Sequence, residues 1–369
     1  MALVSSSSGG MLFNSMGHSG LWFSGGWLDE DEVYNWGAYD GTRKDLGPAF
    51  LSGRMMFWVA HEVWPVQWKR NVRQERSVVV QTLDVPSSAV ETILRRLEIE
   101  TRPENREYLY HWAKNNCATR ARDIIDEATG GQLKQALSVP VPQTARFEGS
   151  RHLARFPESA YAWNFMASAY VDQPLQEWDL GMVPERLMES LAKVQVSYEG
   201  SPQRPLVVQT CGLREGKYSW ARKEPLPTWP LALGTGGLAL LGALLAGRGT
   251  AGRVLAGLGF ATWGLLAGLL GTATFILWAI SQLDGVGPTE NWFQASPLTL
   301  LLVWLGLRKA RGKPTPRLAA RLVLGLAGLG TLGLLLKPLP FLAQANLDMI
   351  AVFLPPLLAA AWVWHKEAR

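Results

Sequence analysis

The sequence is short of the residues that hold metals or staple chains together. Its 369 residues include two cysteines, Cys117 and Cys211, and five histidines. Two thiols cannot complete a structural zinc site, and no His pair has HExxH spacing, so no metal or cofactor is expected. The same scarcity excludes a disulfide framework, leaving at most one bridge between the two cysteines. Charged residues make up only 18% and hydrophobic ones 48%, which excludes a disordered chain. There is no internal repeat. An export signal is also missing: MALVSSSSGG has neither a basic segment nor an apolar core.

The charge that is present is unevenly placed. Residues 1–228 carry 25 Lys and Arg against 27 Asp and Glu, whereas residues 229–369 carry 11 against 4. The overall +5 belongs to the second part alone and is no sign of a nucleic-acid partner. Two domains are therefore expected, 1–228 and 229–369.

The second domain alternates apolar runs with short polar gaps. The runs are Leu231–Gly247, Val254–Ile280, a weaker one at Pro297–Leu307, Leu318–Leu336 and Met349–Trp364. A helix crossing a bilayer needs about 20 apolar residues, so about five transmembrane helices are expected, with Gly and Ala allowing close approach. Arg248 and Arg253 follow the first run, Arg308, Lys309, Arg311, Lys313 and Arg317 follow the third, and Lys366 and Arg369 follow the fifth. The gap 281–295 has no Lys or Arg. Because basic loops stay in the cytoplasm, the N-terminal domain is expected outside and the C-terminus inside. A domain outside requires export, so a signal is expected to be missing from this start, whether removed or lying ahead of it; an inverted topology is the alternative.

The first domain reads as mixed α and β. Strands are expected at Ser19–Phe23, Glu32–Trp36, Phe57–His61, Ser77–Leu83 and Pro205–Val208, with strand-like sequence almost from residue 1. Helices are expected at Pro86–Leu97, Glu107–Lys114, within Pro157–Tyr170 and at Pro184–Val194. Glu215–Thr228 reads as a linker.

The chemistry-bearing residue is Cys117, in NNCATRARDIIDEATGG. Asn115 and Asn116 are good N-cap residues, and a helix should run from them to Gly130-Gly131. The thiol then sits on a first helical turn, where free N–H groups and the dipole favour a thiolate and can serve an oxyanion. A buried structural Cys, or a bridge to Cys211, is the plainer reading. His18 follows a glycine and enters a strand, a position that is usually structural. Arg73, Arg76, Arg120 and Arg122 could contact a phosphate or simply form ion pairs. Trp22, Trp27, Trp36, Trp64 and Trp68 could sit at lipid headgroups or pack in a core.

Read in order, GHSGLWF, VYNWGAYD (33–40), Arg76 with VVVQTLDVP, ENREYLYHWAKNNCATRARDIID and EWDLGMVPERL (177–187) resemble one family. They are similar to the N-terminal periplasmic domain of the bacterial Lnb-type lipoprotein N-acyltransferases, which is followed by a small bundle of membrane helices. The resemblance covers roughly residues 3–195. It is looser at PTENWFQASPL (288–298), which looks like the family's outside-loop Asn motif. That loop often carries a His before the Asn, and here it reads DGVGPTEN.

The resemblance implies an α+β permuted papain-like domain, related to NlpC-type enzymes, followed by an all-α membrane bundle. It implies Cys117 as nucleophile and His18 as general base, with Asn35 as the orienting third group and Tyr34 or Asp40 as alternatives. Tyr34, Asn116, Arg120 and Asn291 become candidates for substrate contact. The implied reaction moves an acyl chain from a glycerophospholipid, through a thioester on Cys117, to the α-amine of a lipoprotein's lipidated N-terminal cysteine. The implied location is the bacterial inner membrane. An NlpC-type thiol peptidase acting on cell-wall peptides, or a non-catalytic membrane interaction protein, stays open beside it.

Overall fold

Seven short segments pair into one antiparallel sheet in a computed structural model, which describes residues 1–25, 30–218 and 220–367. The strands are β1 (Ala2–Ser6), β2 (His18–Phe23), β3 (Glu32–Ala38), β4 (Met56–Val63), β5 (Val78–Leu83), β6 (Glu107–Leu109) and β7 (Val207–Arg214). Their spatial order is β7-β5-β1-β2-β3-β4-β6. β1 lies between β5 and β2 and is buried along its whole length, as an interior strand of ALVSS composition should be.

Period-two alternation divides the side chains between two faces. Leu21, Phe23, Tyr34 and Trp36 point into a core shared with Ile93 and Leu97 of α2 (Ser87–Glu100) and Ala118, Ala121 and Ile125 of α3 (Cys117–Ala128). The other face, formed by Ala2, Val4, Val78 and Val80, is covered by Trp22, Trp64 and Trp68. Trp64 and Trp68 belong to α1 (Trp64–Arg73), and Trp64 stacks on Trp22 with ring centroids 4.3 Å apart. These tryptophans therefore pack the domain, and Trp36 is fully buried. Trp27 lies outside the described residues.

Most of the expected elements form, with one correction. Glu107–Lys114 does not make a helix. Glu107–Leu109 pairs with β4 and buries Tyr108 between two exposed neighbours, and a turn closed by His111 and Asn115 follows. The aromatic alternation of EYLY serves a strand better than a helix.

The described chain forms two compact units, Met1–Ala160 with Gln173–Pro225, and Tyr161–Asp172 with Leu226–Arg369. A twelve-residue insertion from the first half of the sequence thus belongs to the helical unit. In the first unit a further helix, α4 (Pro184–Leu191), packs on the sheet core through Leu187 and Leu191.

The helical unit contains α5 (Trp229–Leu245), α6 (Gly249–Ile280), α7 (Leu301–Ala310), α8 (Arg317–Leu335) and α9 (Leu347–Glu367). Among the described residues α6, α8 and α9 are long and apolar enough to cross a membrane; α5 is apolar but shorter. At 1.5 Å per residue α6 is about 48 Å long, against a hydrocarbon core of about 30 Å. The weak third run is broken: two short 3-10 turns, Glu290–Phe293 and Pro297–Leu300, precede α7, which has only 10 residues. This stretch lies against the glycines of α6. A Cβ on Gly271 would come within 2.5 Å of the Ala295 carbonyl, and one on Gly257 within 2.6 Å of the Gly306 carbonyl. Backbone contact of this kind is what small residues permit between membrane helices.

The two ends of this unit differ. At one, Arg253 packs beside Gly312, and Glu367 takes Lys309 and Thr315 as partners. At the other, the 3-10 turn at Asn291 meets Phe165 of the insertion and Gln344 and Asn346 before α9. The basic loops therefore collect at one end of the bundle.

Candidate functional site

Cys117 is the first residue of α3, and the chain fixes it there with an unusually complete cap. Asn116 Oδ1 accepts from the amides of Ala118 (2.8 Å) and Thr119 (2.9 Å), and Thr119 Oγ1 accepts from the Asn116 amide at 2.8 Å. Asn116 Nδ2 donates to the carbonyls of Trp112 (2.5 Å) and Met182 (3.0 Å). Met182 lies in EWDLGMVPERL, so that distant segment anchors the helix start. Asn116 itself is buried, and its amide is spent on the cap.

The thiol lies where the helix start meets the beginning of β2. Backbone N–H groups of Ser19, Ala118 and Cys117 point to the sulfur, and a Cβ on Gly37 would stand 4.0 Å from the Cys117 Cβ. The side chain next to Ser19 is His18. Its Nε2 is 2.8 Å from Asn35 Oδ1. Asn35 Nδ2 donates to Gln67 Oε1 at 3.2 Å, and Gln67 Oε1 also accepts from Arg70 Nη1 at 3.4 Å. Arg70 is held in turn by Glu62 at 2.5 Å.

This relay fixes a tautomer. A guanidinium can only donate, so it sets the Gln67 oxygen. That oxygen sets the Asn35 amide with its own oxygen toward His18, and the imidazole must then donate through Nε2. Nδ1 is left with its lone pair. Gly20 makes room for this arrangement: it is the cross-strand partner of Asn35, and a Cβ there would lie 2.6 Å from Asn35 Oδ1. Gly17, at φ +84°, turns the chain into His18, where a Cβ would meet the Ser6 carbonyl at 2.8 Å.

Burial sets the protonation states. His18 is pulled down to about 4 by desolvation first and then by Arg76, against the hydrogen bond to Asn35, with Arg70 also lowering it. The Cys117 thiol is pushed up by desolvation, against the three amides and Arg76. This corrects the expectation of a depressed thiol pKa: the helix start supplies the expected N–H groups, but burial outweighs them. The resting pair is a neutral thiol and a neutral imidazole. Among the described residues the two share no hydrogen bond, and the thiol makes none with Cys211, which is also free. Catalytic contacts of this type tighten when substrate binds.

An aromatic wall leads away from the sulfur. Tyr39, Phe50 and Tyr110 pack with Cys117 on the core. Phe57 and Tyr110 have centroids 4.2 Å apart, Phe50 and Tyr110 6.0 Å, and Phe13 and Phe50 5.6 Å. The wall ends at Met11, Leu12 and Phe13, which are 58%, 43% and 45% exposed. A recess of about 920 Å³ between Pro86 and Arg204 includes neither Cys117 nor His18.

The other candidates fall elsewhere. Tyr34 is on the opposite sheet face from Asn35, buried against Phe23 and His61, with its hydroxyl donating to Glu32 at 3.2 Å. Asp40 accepts from Thr42 on an exposed turn. Arg120 bonds Asn115 at 2.6 Å and lies over the Tyr108 ring, and Arg122 pairs with Asp123 and lies over the Trp178 ring. Asn291 belongs to the helical unit, where Nδ2 donates to the Phe165 carbonyl and Oδ1 accepts from Asn346, both at 2.8 Å. Gln67 and Arg70 escaped the sequence reading. Nothing in WPVQWKRNVR marks a relay, because its partners are brought in by the sheet. No group of three or more potential metal-ligating side chains occurs among the described residues.

A thiol at a helix start that receives the amide of the residue after His18, whose imidazole tautomer is fixed by an amide, is an arrangement compatible with delivering sulfur to a carbonyl. Residues 1–147 match the family model of the Lnb N-terminal periplasmic domain. No curated protein and no solved structure matches the chain.

Proposed function

We propose that this chain is a membrane-bound cysteine acyltransferase of the Lnb type, with a permuted papain-like first domain. It transfers an acyl chain from a glycerophospholipid to the α-amine of a lipoprotein's N-terminal lipidated cysteine. The observation that carries this reading is the join of two features at Cys117: the His18–Asn35–Gln67 relay on one side and the aromatic wall on the other. A peptide hydrolase needs the first and has no use for an apolar path ending at exposed Met11–Phe13. The similarity of residues 1–147 to the Lnb periplasmic domain supports the same reading.

The reaction runs in two steps. His18 Nδ1 takes the thiol proton as the sulfur attacks the ester carbonyl, and the amides of Ser19 and Cys117 are available to the developing oxyanion. The C–O bond breaks, the lysophospholipid alkoxide takes the proton back from His18, and the acyl chain remains as a thioester along the aromatic wall. The acceptor amine then attacks the thioester and gives a proton to His18. The C–S bond breaks, and the returning thiolate is protonated by His18. Starting from neutral partners, this is general-base catalysis in the manner of a serine enzyme rather than a preformed ion pair.

The helical unit holds the enzyme at the bilayer that stores both substrates. Its basic end faces the cytoplasm and the first unit faces the periplasm of an inner membrane.

Cys117→Ala should lower N-acylation of a reporter lipoprotein by about 10³-fold or more. The readout is mass spectrometry of the reporter's N-terminal peptide from cells lacking their own enzyme. The wild-type protein should carry a hydroxylamine-labile fatty acyl group on Cys117. Triacylated reporter from the alanine variant would sink the assignment. Cleavage of muropeptides without any acyl adduct would replace it with the hydrolase.

A further inference from the structure

The first unit contains a buried cation with no counterion. Arg76 is 4% exposed, yet among the described residues its side chain forms no hydrogen bond and no ion pair, and its Nε is enclosed without a partner. The other arginines considered for phosphate behave differently: Arg120 and Arg122 are held by Asn115 and Asp123, and Arg73 is exposed. Desolvating a guanidinium costs several kcal/mol in order of magnitude unless an anion repays it. Among the described residues no anion pairs with it, and only the field of Cys117 and Tyr39 works against the desolvation that lowers its pKa to about 10.

The backbone at Arg76 is held firmly. α1 ends in a Schellman motif: the Glu75 amide donates to Val72 and the Arg76 amide to Asn71, with Glu75 at φ 53° where glycine is usual. Arg214 Nε donates to the Arg76 carbonyl at 3.1 Å, and the Tyr218 amide donates to the Glu75 carbonyl at 3.2 Å. Gly216 packs so closely that a Cβ would lie 2.2 Å from the Glu75 carbonyl oxygen. Strain and three anchors thus fix the origin of a side chain that itself holds nothing.

That side chain serves the site. Its charge acts on both Cys117 and His18. Beside it run Gly9 and Gly10: a Cβ on Gly9 would stand 3.3 Å from Arg76 Nε, and one on Gly10 would stand 2.7 Å from the Tyr218 hydroxyl. Gly9 keeps bulk away from the guanidinium. A planar, bidentate donor matches a phosphodiester better than any other lipid group.

Resting on the acyl-donor reading above, we propose that Arg76 binds the phosphodiester of the donor phospholipid and so selects phospholipids over neutral glycerides. The donor then lies across Cys117, with phosphate toward Arg76 and acyl chain toward Phe13.

The test uses the full chain in detergent, with diheptanoylphosphatidylglycerol and diheptanoylglycerol as paired probes. Binding is measured on Cys117→Ala with and without Arg76→Gln or Arg76→Lys, and thioester formation on the same Arg76 variants with Cys117 intact. Loss of Arg76 should weaken phospholipid binding and raise its KM roughly 10- to 100-fold, the range for a charged hydrogen bond. Diheptanoylglycerol should change less than about threefold, and lysine should restore part of the loss. Equal losses on both probes, or unchanged phospholipid affinity, would overturn the proposal. If the wild-type protein forms no thioester, the acyltransferase reading falls, while the binding comparison still decides what Arg76 does.

Discussion

In the first unit Asn35 uses its amide to hold the His18 imidazole; in the helical unit Asn291 uses its amide to hold the chain. Both side chains are buried and both lie in polar clusters. Around Asn35, however, groups are left over: the Nδ1 lone pair of His18, the thiol of Cys117 and the guanidinium of Arg76. Around Asn291 almost everything is spent. Gln344 serves Ala167, Thr289 and the Glu290 amide, and Lys337 serves Glu290, Leu342 and Gln344; among the described residues Gln294 Oε1 and Asn346 Oδ1 are left without a partner there. A satisfied network holds structure together, and an unsatisfied one is available for chemistry.

Three experiments would break or sharpen that contrast. The largest effect belongs to His18→Ala, which should slow thioester formation by about 10²- to 10⁴-fold, the usual worth of a positioned base. Rapid-quench mass spectrometry of the acyl adduct would read it, and a loss below tenfold would remove His18 from the reaction. Asn291→Ala should act on stability instead. It leaves the Asn346 amide unpaired in a buried site and the Phe165 carbonyl with only the 3.4 Å bond from Thr289, at a cost of about 1–3 kcal/mol, seen as earlier thermal unfolding in detergent. Thioester formation well below the transition should persist, and its disappearance there would move Asn291 into the chemistry. The smallest effect concerns pH. His18 acts only when neutral, and burial lowers its pKa to about 4. The acid limb of kcat/KM for thioester formation should therefore appear near pH 4, with no loss between pH 7 and about pH 5. Asn35→Asp, by placing a carboxylate on the imidazole, should move that limb to higher pH. A wild-type limb near 6.5, the ordinary histidine value, would contradict the burial argument.

Local sequence carried the parts of this molecule that depend on local signals. Asn116, two apolar turns and Gly130-Gly131 are enough to place Cys117 on a helix start, and period-two runs are enough for β2 through β5. The segment EYLY was misread because a three-residue strand has little periodicity of its own; its pairing with Met56–Trp58 decides it. The relay was half legible. His18 and Asn35 stood out through the family resemblance, but Gln67 joins them only because α1 crosses the sheet behind them. The thiol's protonation was misjudged because helix position is readable from sequence and depth of burial is not. The apolar runs coincide with α5 to α9, of which α6, α8 and α9 are long enough to cross a membrane, yet they did not mark the break before α7, which follows from the packing of Ala295 and Ser296 on Gly271. Nor did anything mark Tyr161–Asp172 as part of that unit.

The protonated state that desolvation favours at Cys117 also bears on how the residue survives. A thiol without thiolate character is a slow target for peroxide, alkylating reagents and disulfide exchange. A cysteine in the proposed nucleophilic role would otherwise be consumed by its surroundings between turnovers. In that role the desolvation that denies Cys117 a ready-made thiolate is also its preservative.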